Sequence, residues 1–169
     1  MSKITVQKDF LPKEIHSHLF NLIKSSNFPW YQTPPLIDDE VDVQFGHSLY
    51  FNHGKASDWF DEFMPVFNQI GISSFNRVKL NLNCRETEKR IVGGYHCDFT
   101  IDHKAPKHFK TSIYYFNDTN GETLVQENGK TKAVDCVANS LVTFPNDYLH
   151  TGTTQTDEPF RYILNLNYY

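Results

Sequence analysis

Cysteine is scarce in this chain, and none of its three residues (Cys84, Cys97 and Cys136) stands in a CxxC pair. That spacing excludes a zinc ribbon and a disulfide framework, and it suits a reducing compartment such as the cytoplasm. Long apolar runs are also missing, since no stretch reaches the roughly 18 residues that a membrane helix needs. The N-terminus, MSKITVQKDFLPKEIHSHL, has no basic segment followed by an apolar run, so no secretory signal is expected. Nor is there an excess of positive charge. With 16 Lys and Arg against 20 Asp and Glu, the formal charge of -4 argues against a phosphate-backbone binder. A local basic patch would still leave a nucleic-acid substrate open.

What is present fits one domain over 1–169. Its composition, 39% apolar and 21% charged, matches a chain that buries a core rather than a disordered or membrane-bound one. No repeat or low-complexity linker divides it. The chain changes character part-way along, with a helical support over about 1–75 and a β-rich core over about 76–169. Between Leu11 and Asn27, the residues Ile15, Leu19, Leu22 and Ile23 recur at helical spacing behind Pro12. Pro29, Pro34 and Pro35 end that pattern. A second helix is expected from Ser57 to Ile70. Ser57 is its cap, Asp58, Asp61 and Glu62 lie in the early turns, and Trp59, Phe60, Phe63 and Phe67 form an apolar stripe.

Beyond Phe75 the period shortens. Strands are predicted at Arg77–Cys84, Val92–Asp98, Lys110–Asn117, Lys132–Val137, Leu141–Phe144 and Arg161–Tyr168. Turn residues separate them at Asp118–Gly121, Asn128-Gly129, Ala138-Asn139-Ser140 and Pro145-Asn146-Asp147. Many short strands behind helices predict a mainly β fold with flanking helices, a double-sheet sandwich or jelly roll.

The local pattern richest in chemistry is Tyr95-His96-Cys97-Asp98. On a strand His96 and Asp98 would project from one face, where an imidazole nitrogen and a carboxylate oxygen can share a metal. His150, just past the turn at Pro145–Asp147, is the candidate third ligand. Two histidines and a carboxylate on one face of an octahedron leave room for a chelating co-substrate and O2, the arrangement of non-haem Fe(II) oxygenases. An HxD alone is common, and it also fits a hydrogen-bonded strand histidine followed by a capping Asp. Eleven residues after His150 comes Arg161, which opens an alternating run with Ile163, Asn165 and Asn167 on its face. That face is either a solvated surface or the polar lumen of a barrel in which a guanidinium grips a carboxylate, and alternation does not choose between them.

From Arg77 to Tyr168 the chain resembles the 2-oxoglutarate/Fe(II) oxygenase superfamily, and within it the prolyl-hydroxylase-like branch. The matching elements are the HxD of His96 and Asp98, then Ser112–Asp118, Asn120-Gly121-Glu122-Thr123-Leu124, Ala138–Pro145, His150-Thr151-Gly152 and Arg161-Tyr162. The resemblance implies a double-stranded β-helix with His96, Asp98 and His150 as ligands of Fe(II). It implies that Arg161 pairs with the distal carboxylate of 2-oxoglutarate, helped by Tyr115, with Ile113 lining that pocket. The expected reaction uses O2 to hydroxylate a C–H bond of a peptide, prolyl-type, or small-molecule substrate, releasing succinate and CO2.

The chain departs from the branch in three places. Many prolyl hydroxylases have Lys where Arg161 stands. A second tyrosine on the strand before HxD is replaced by Asn81 or Asn83, and the family's double glycine is reduced to Asn120-Gly121. Two other classes compete, a cupin-like metalloprotein and a catalytically silent jelly-roll binding module. The first usually draws more histidines from neighbouring strands, whereas His16, His18, His47 and His53 lie upstream of the β core and His103 and His108 follow the HxD strand in a Lys-rich loop, Lys104–Lys110. That loop reads as solvated surface or as a lid. The aromatic stretch Phe28–Tyr31 and residues Asp38–Phe51 read as core, or as walls of a substrate groove.

Overall fold

The computed structural model describes residues 3–33, 44–85, 88–100 and 104–169. Along the chain these form β1 (Thr5–Gln7), α1 (Lys13–Lys24), β2 (Tyr31–Thr33), β3 (Gln44–Phe51) and β4 (Gly54–Lys55). A 3-10 helix (Asp58–Phe63) runs directly into α2 (Met64–Ile70). There follow β5 (Phe75–Cys84), β6 (Lys110–Tyr115), β7 (Thr119–Glu127), β8 (Lys130–Cys136), β9 (Ser140–Pro145), β10 (His150–Gly152) and β11 (Phe160–Tyr168). No helix among these residues is long and apolar enough to cross a membrane.

All the pairings are antiparallel. One large sheet has the order β1-β9-β6-β11-β5-β3-β2, with β4 on β3, and a smaller sheet has the order β10-β7-β8. Non-sequential neighbours in two facing sheets give the jelly-roll arrangement expected from the sequence. Alternation along β11 and β5 creates two cores. Leu164, Leu166, Val78 and Leu80 face outward against Leu19 and Ile23 of α1 and Phe63 and Phe67 of the second helical segment. Each such fully buried side chain contributes about 1.5–3 kcal/mol. Ile113, Tyr115, Val142 and Ile163 point the other way and meet Val125 and Val134 of the smaller sheet.

Local chemistry explains where elements begin and end. Ser57 caps the 3-10 helix, its Oγ accepting from the Trp59 N–H at 3.1 Å. The single helix expected over Ser57–Ile70 is instead two, because Pro65 has no N–H to continue the ladder and favours the first turn of a new helix. Asn128-Gly129 has both φ values positive, 52° and 74°, the geometry of a tight hairpin turn between β7 and β8. Asn139 is also left-handed, and its amide ties the N-terminal arm to the sheet through both the N–H and the C=O of Leu11.

Three expectations change. The strand predicted at Val92–Asp98 is reduced to isolated bridges, Val92 to Thr153 and His96 to His150. Its second and third residues are Gly93-Gly94, which have no side chains to pack on a pleated surface. The turn predicted at Asp118–Gly121 falls earlier, at Phe116-Asn117, and Thr119–Gly121 enters β7 through an irregular register. Upstream of Phe75 the chain is not only helical support, since β3 joins β5 in the large sheet and β1 joins β9. Pro34, Pro35, residues 38–43 and His103 lie outside the described residues.

Candidate active site

A cavity of about 570 Å³ opens at one end of the space between the sheets. The inner faces of β5 and β11 form one wall, the Gly93–Asp98 segment and β10 the other. His96 and His150 meet across their bridge, where each N–H donates to the other's carbonyl, at 3.0 and 2.9 Å. Main-chain pairing therefore sets the two rings side by side, with centroids 4.7 Å apart. Asp98 completes the group. Its Oδ1 is 3.6 Å from His96 Nε2 and its Oδ2 is 3.6 Å from His150 Nε2. One ligand atom from each residue lies within 4.8 Å of the others, a spacing that suits a single ion between them. His96 and Asp98 reach this geometry from an irregular segment rather than from one strand face.

Both rings turn their Nδ1 atoms away from the cluster. His96 Nδ1 lies 3.0 Å from the Gly94 carbonyl, and His150 Nδ1 lies 3.4 Å from that of Tyr148. A proton placed there leaves each Nε2 lone pair free for a metal. Burial works against the Asp98 charge, but the hydrogen-bonded His96, His150 and the Arg77 guanidinium hold its carboxyl far below the usual range. Burial pushes the His150 pKa down, with Asp98 pulling the other way, so this ring is kept neutral. Burial also opposes charge on His96, yet the Asp98 and Gly94 oxygens outweigh it and raise its pKa. A metal would therefore displace a proton mainly from His96, and its binding should weaken as the medium is acidified.

Two residues orient the carboxylate. Arg77 Nη1 is 3.5 Å from Oδ1, and the Asn167 Nδ2 donates to Oδ2 at 3.2 Å and to Thr111 Oγ1 at 3.1 Å. Outer partners of metal ligands typically carry about ten- to a hundred-fold in metal affinity. Asn167→Ala is expected to weaken metal binding within that range, read by competition with a fluorescent chelator. An unchanged affinity would show that Asn167 only packs.

Arg161 lies deep in the cavity and is 3% exposed, so its face is lumen rather than solvated surface. Its Nη1 donates to the Thr153 carbonyl at 3.2 Å and its Nη2 to Thr123 Oγ1 at 3.1 Å, while Nε has no partner among the described residues. A buried donor of this kind, free on one side, fits an anion bound in the cavity. Gly121 and Gly152 flank the guanidinium, and a Cβ at either would sit 3.4 Å from Nη1, in van der Waals contact with it. Ile113 lines the cavity. Tyr115 is fully buried behind it, and its hydroxyl donates to Thr123 Oγ1 at 2.8 Å. Burial, only partly offset by Arg161, pushes the Tyr115 pKa up to about 12, so the group stays a neutral donor. Tyr115 thus reaches the cavity through Thr123 and Arg161, whereas Tyr114 points to the helices and bonds His16 and Asn139.

Asn81, Asn83, Asn165 and Gln155 also line the cavity, each with a buried side-chain oxygen that has no partner among the described residues. The resemblance puts Asn165 and Asn167 inside without a role and offers Asn81 or Asn83 in place of a second tyrosine, while Arg77, Lys79, Thr123 and Gln155 are not among the site residues expected from the sequence. Of the remaining described histidines, His16 bonds Tyr114, His47 bonds Pro29 and Ser57, and His108 packs on Phe109 and Tyr169. None joins the cluster.

No family model matches the sequence, and no curated protein matches it. Solved structures do. A 2OG-Fe(II) oxygenase-family oxidoreductase from Burkholderia pseudomallei superposes with a TM-score of 0.75 at 8% identity, over 98% of this chain and 85% of the other. A Trichoplax adhaerens prolyl hydroxylase, solved with a hypoxia inducible factor peptide, gives 0.70 at 11% identity, over 99% and 83%. A Pseudomonas putida prolyl-4-hydroxylase gives 0.62 at 13% identity, over 98% and 91%. The fold is therefore the double-stranded β-helix of the 2-oxoglutarate/Fe(II) oxygenases.

Proposed function

We propose that this protein is an Fe(II)- and 2-oxoglutarate-dependent dioxygenase that hydroxylates a C–H bond of a peptide or small-molecule substrate. The observation that carries the reading is the pairing of two sites in one cavity. Two imidazoles and a carboxylate converge within 4.8 Å at one end, and a buried guanidinium with an unused Nε lies further in. His96, Asp98 and His150 would hold the iron. Arg161, set by Thr123 and Thr153 and backed by Tyr115, would hold the distal carboxylate of 2-oxoglutarate against Ile113.

When bound, iron and 2-oxoglutarate supply the oxidation, in which O2 is consumed, succinate and CO2 are released and one oxygen atom passes to the substrate. The chain's own residues do the positioning. Asp98 stays ionised and His150 neutral, the protonation states that ligands require. Arg77 and Asn167 fix the carboxylate, and Gly94 fixes the His96 ring. The side-chain oxygens of Asn81, Asn83, Asn165 and Gln155, without partners among the described residues, can accept hydrogen bonds from donors brought into the cavity. The three free thiols fit action in the cytoplasm.

Calorimetry without oxygen tests this directly. Fe(II) should bind stoichiometrically, 2-oxoglutarate should bind tightly only to the metal-loaded protein, and admission of air should release succinate. Metal binding without any 2-oxoglutarate binding would favour a cupin-like protein. Absence of both would leave a silent jelly-roll module.

A further inference from the structure

We propose that Lys79 anchors an anionic group, a carboxylate or a phosphate, on the primary substrate, which therefore carries negative charge close to the carbon that reacts. The inference rests on the metal and 2-oxoglutarate sites described above.

Three cations, Arg77, Lys79 and Arg161, line the cavity against one carboxylate, Asp98. Two of the cations are accounted for. Arg77 lies beside Asp98, and Arg161, held by Thr123 and Thr153 with its Nε unpaired among the described residues, is assigned above to 2-oxoglutarate. The Lys79 ammonium has neither a hydrogen bond nor an ion pair among the described residues. A divalent metal and a doubly charged 2-oxoglutarate cancel each other, so loading the site leaves Lys79 as uncompensated as before. This local excess of positive charge sits in a chain whose formal charge is -4.

Lys79 pairs with Asn165 on one side and Ser48 on the other, in the middle of the large sheet. Its stem leans over the backbone of Gly46, where an added Cβ would collide with Cε and lie 3.0 Å from Nζ. Lys79 lines both the metal cavity and a second hollow of about 560 Å³ whose walls include Tyr31, Thr33, Ser48, Asp58 and Trp59. Burial, reinforced by the neighbouring Arg77 charge and only partly offset by Asp98, lowers its pKa to about 8. A half-buried ammonium whose nearest carboxylate, Asp98, already faces Arg77 and two imidazoles gains from a ligand that supplies a counter-charge. A site built for a neutral substrate would be better served by Met or Leu at this position.

The test uses the full chain with Mn(II) in place of Fe(II) and saturating 2-oxoglutarate, so that nothing turns over. Acetate, methylphosphonate and neutral acetamide are titrated in, and Mn(II)-induced nuclear relaxation of each probe is recorded. The wild-type protein should show saturable relaxation of at least one anion and none of acetamide, and the tighter of the two anions identifies the substrate's charged group. Lys79→Met should weaken that binding about ten-fold or more, while Lys79→Arg keeps it, as expected for loss of one charge-assisted hydrogen bond. Equal relaxation of acetamide, or full anion binding by Lys79→Met, would overturn the proposal. So would a matching loss of 2-oxoglutarate affinity in Lys79→Met, which would assign the lysine to the co-substrate. If the wild-type protein binds neither Mn(II) nor 2-oxoglutarate, the proposed function itself fails. If it binds both but no anion, only this inference does.

Discussion

Asp98→Ala is expected to abolish succinate formation and to lower Fe(II) affinity by roughly 3–5 kcal/mol, or about a hundred- to several thousand-fold. The size follows from what the carboxylate touches. It lies between the two imidazole Nε2 atoms, accepts from Asn167 and faces the Arg77 guanidinium, with its side chain only 5% exposed. Its removal deletes the anionic ligand and leaves Arg77 beside two imidazoles with nothing to offset it. His96→Ala should also abolish turnover, but it keeps the anion and should therefore lose less metal affinity. Chelator competition measures the first effect, and a succinate assay the second. Wild-type succinate formation by either variant would remove that residue from the metal site.

Arg161→Ala is expected to weaken 2-oxoglutarate binding by about ten- to a thousand-fold while sparing the metal. The guanidinium is already fixed by the Thr153 carbonyl and Thr123 Oγ1, so its free Nε meets a carboxylate without losing further rotamer freedom. Arg161→Lys should recover part of the affinity, because an ammonium supplies charge but not a planar fork. The loss should appear chiefly in the KM for 2-oxoglutarate, with Fe(II) affinity within about two-fold of wild type by calorimetry. A parallel loss of metal binding would mean that Arg161 supports the β10 strand rather than the co-substrate.

Much of this site was legible because its parts obey short-range rules. The alternation in Arg161–Asn167 put the arginine and the asparagines on one face, and the structure buries that face. His96, Asp98, His150 and Ile113 also fall in the cavity, as the resemblance implied. What stayed hidden depends on partners far away in sequence. Arg77 reads as an ordinary strand-opening cation until folding brings it to Asp98, and Thr123 gains its role only from contact with Tyr115 and Arg161. Lys79 gives no sign of its exposure to the cavity, because a Lys in a half-polar strand is commonplace. The glycines of Val92–Asp98 leave only isolated bridges there, and the stretch that reads as core or groove wall contributes β3 to the large sheet. The reduced double glycine proved informative in retrospect. Gly121, the one retained, is the one packed against Arg161, while Asn120 turns outward to Thr156 and Asp157.

The mutual main-chain bridge between His96 and His150 makes residue count itself a requirement for activity. Paired backbones present alternate side chains to opposite sides, so one residue added or removed between Gly93 and Asp98, or between Leu149 and Thr153, would swing an imidazole out of the cavity. No substitution of a ligand would be needed to silence the protein. A hairpin tip such as Asn128-Gly129 carries no such counting rule and can lengthen at small cost. Natural variants should therefore differ in length at tips of that kind and keep a fixed count through the two histidine segments.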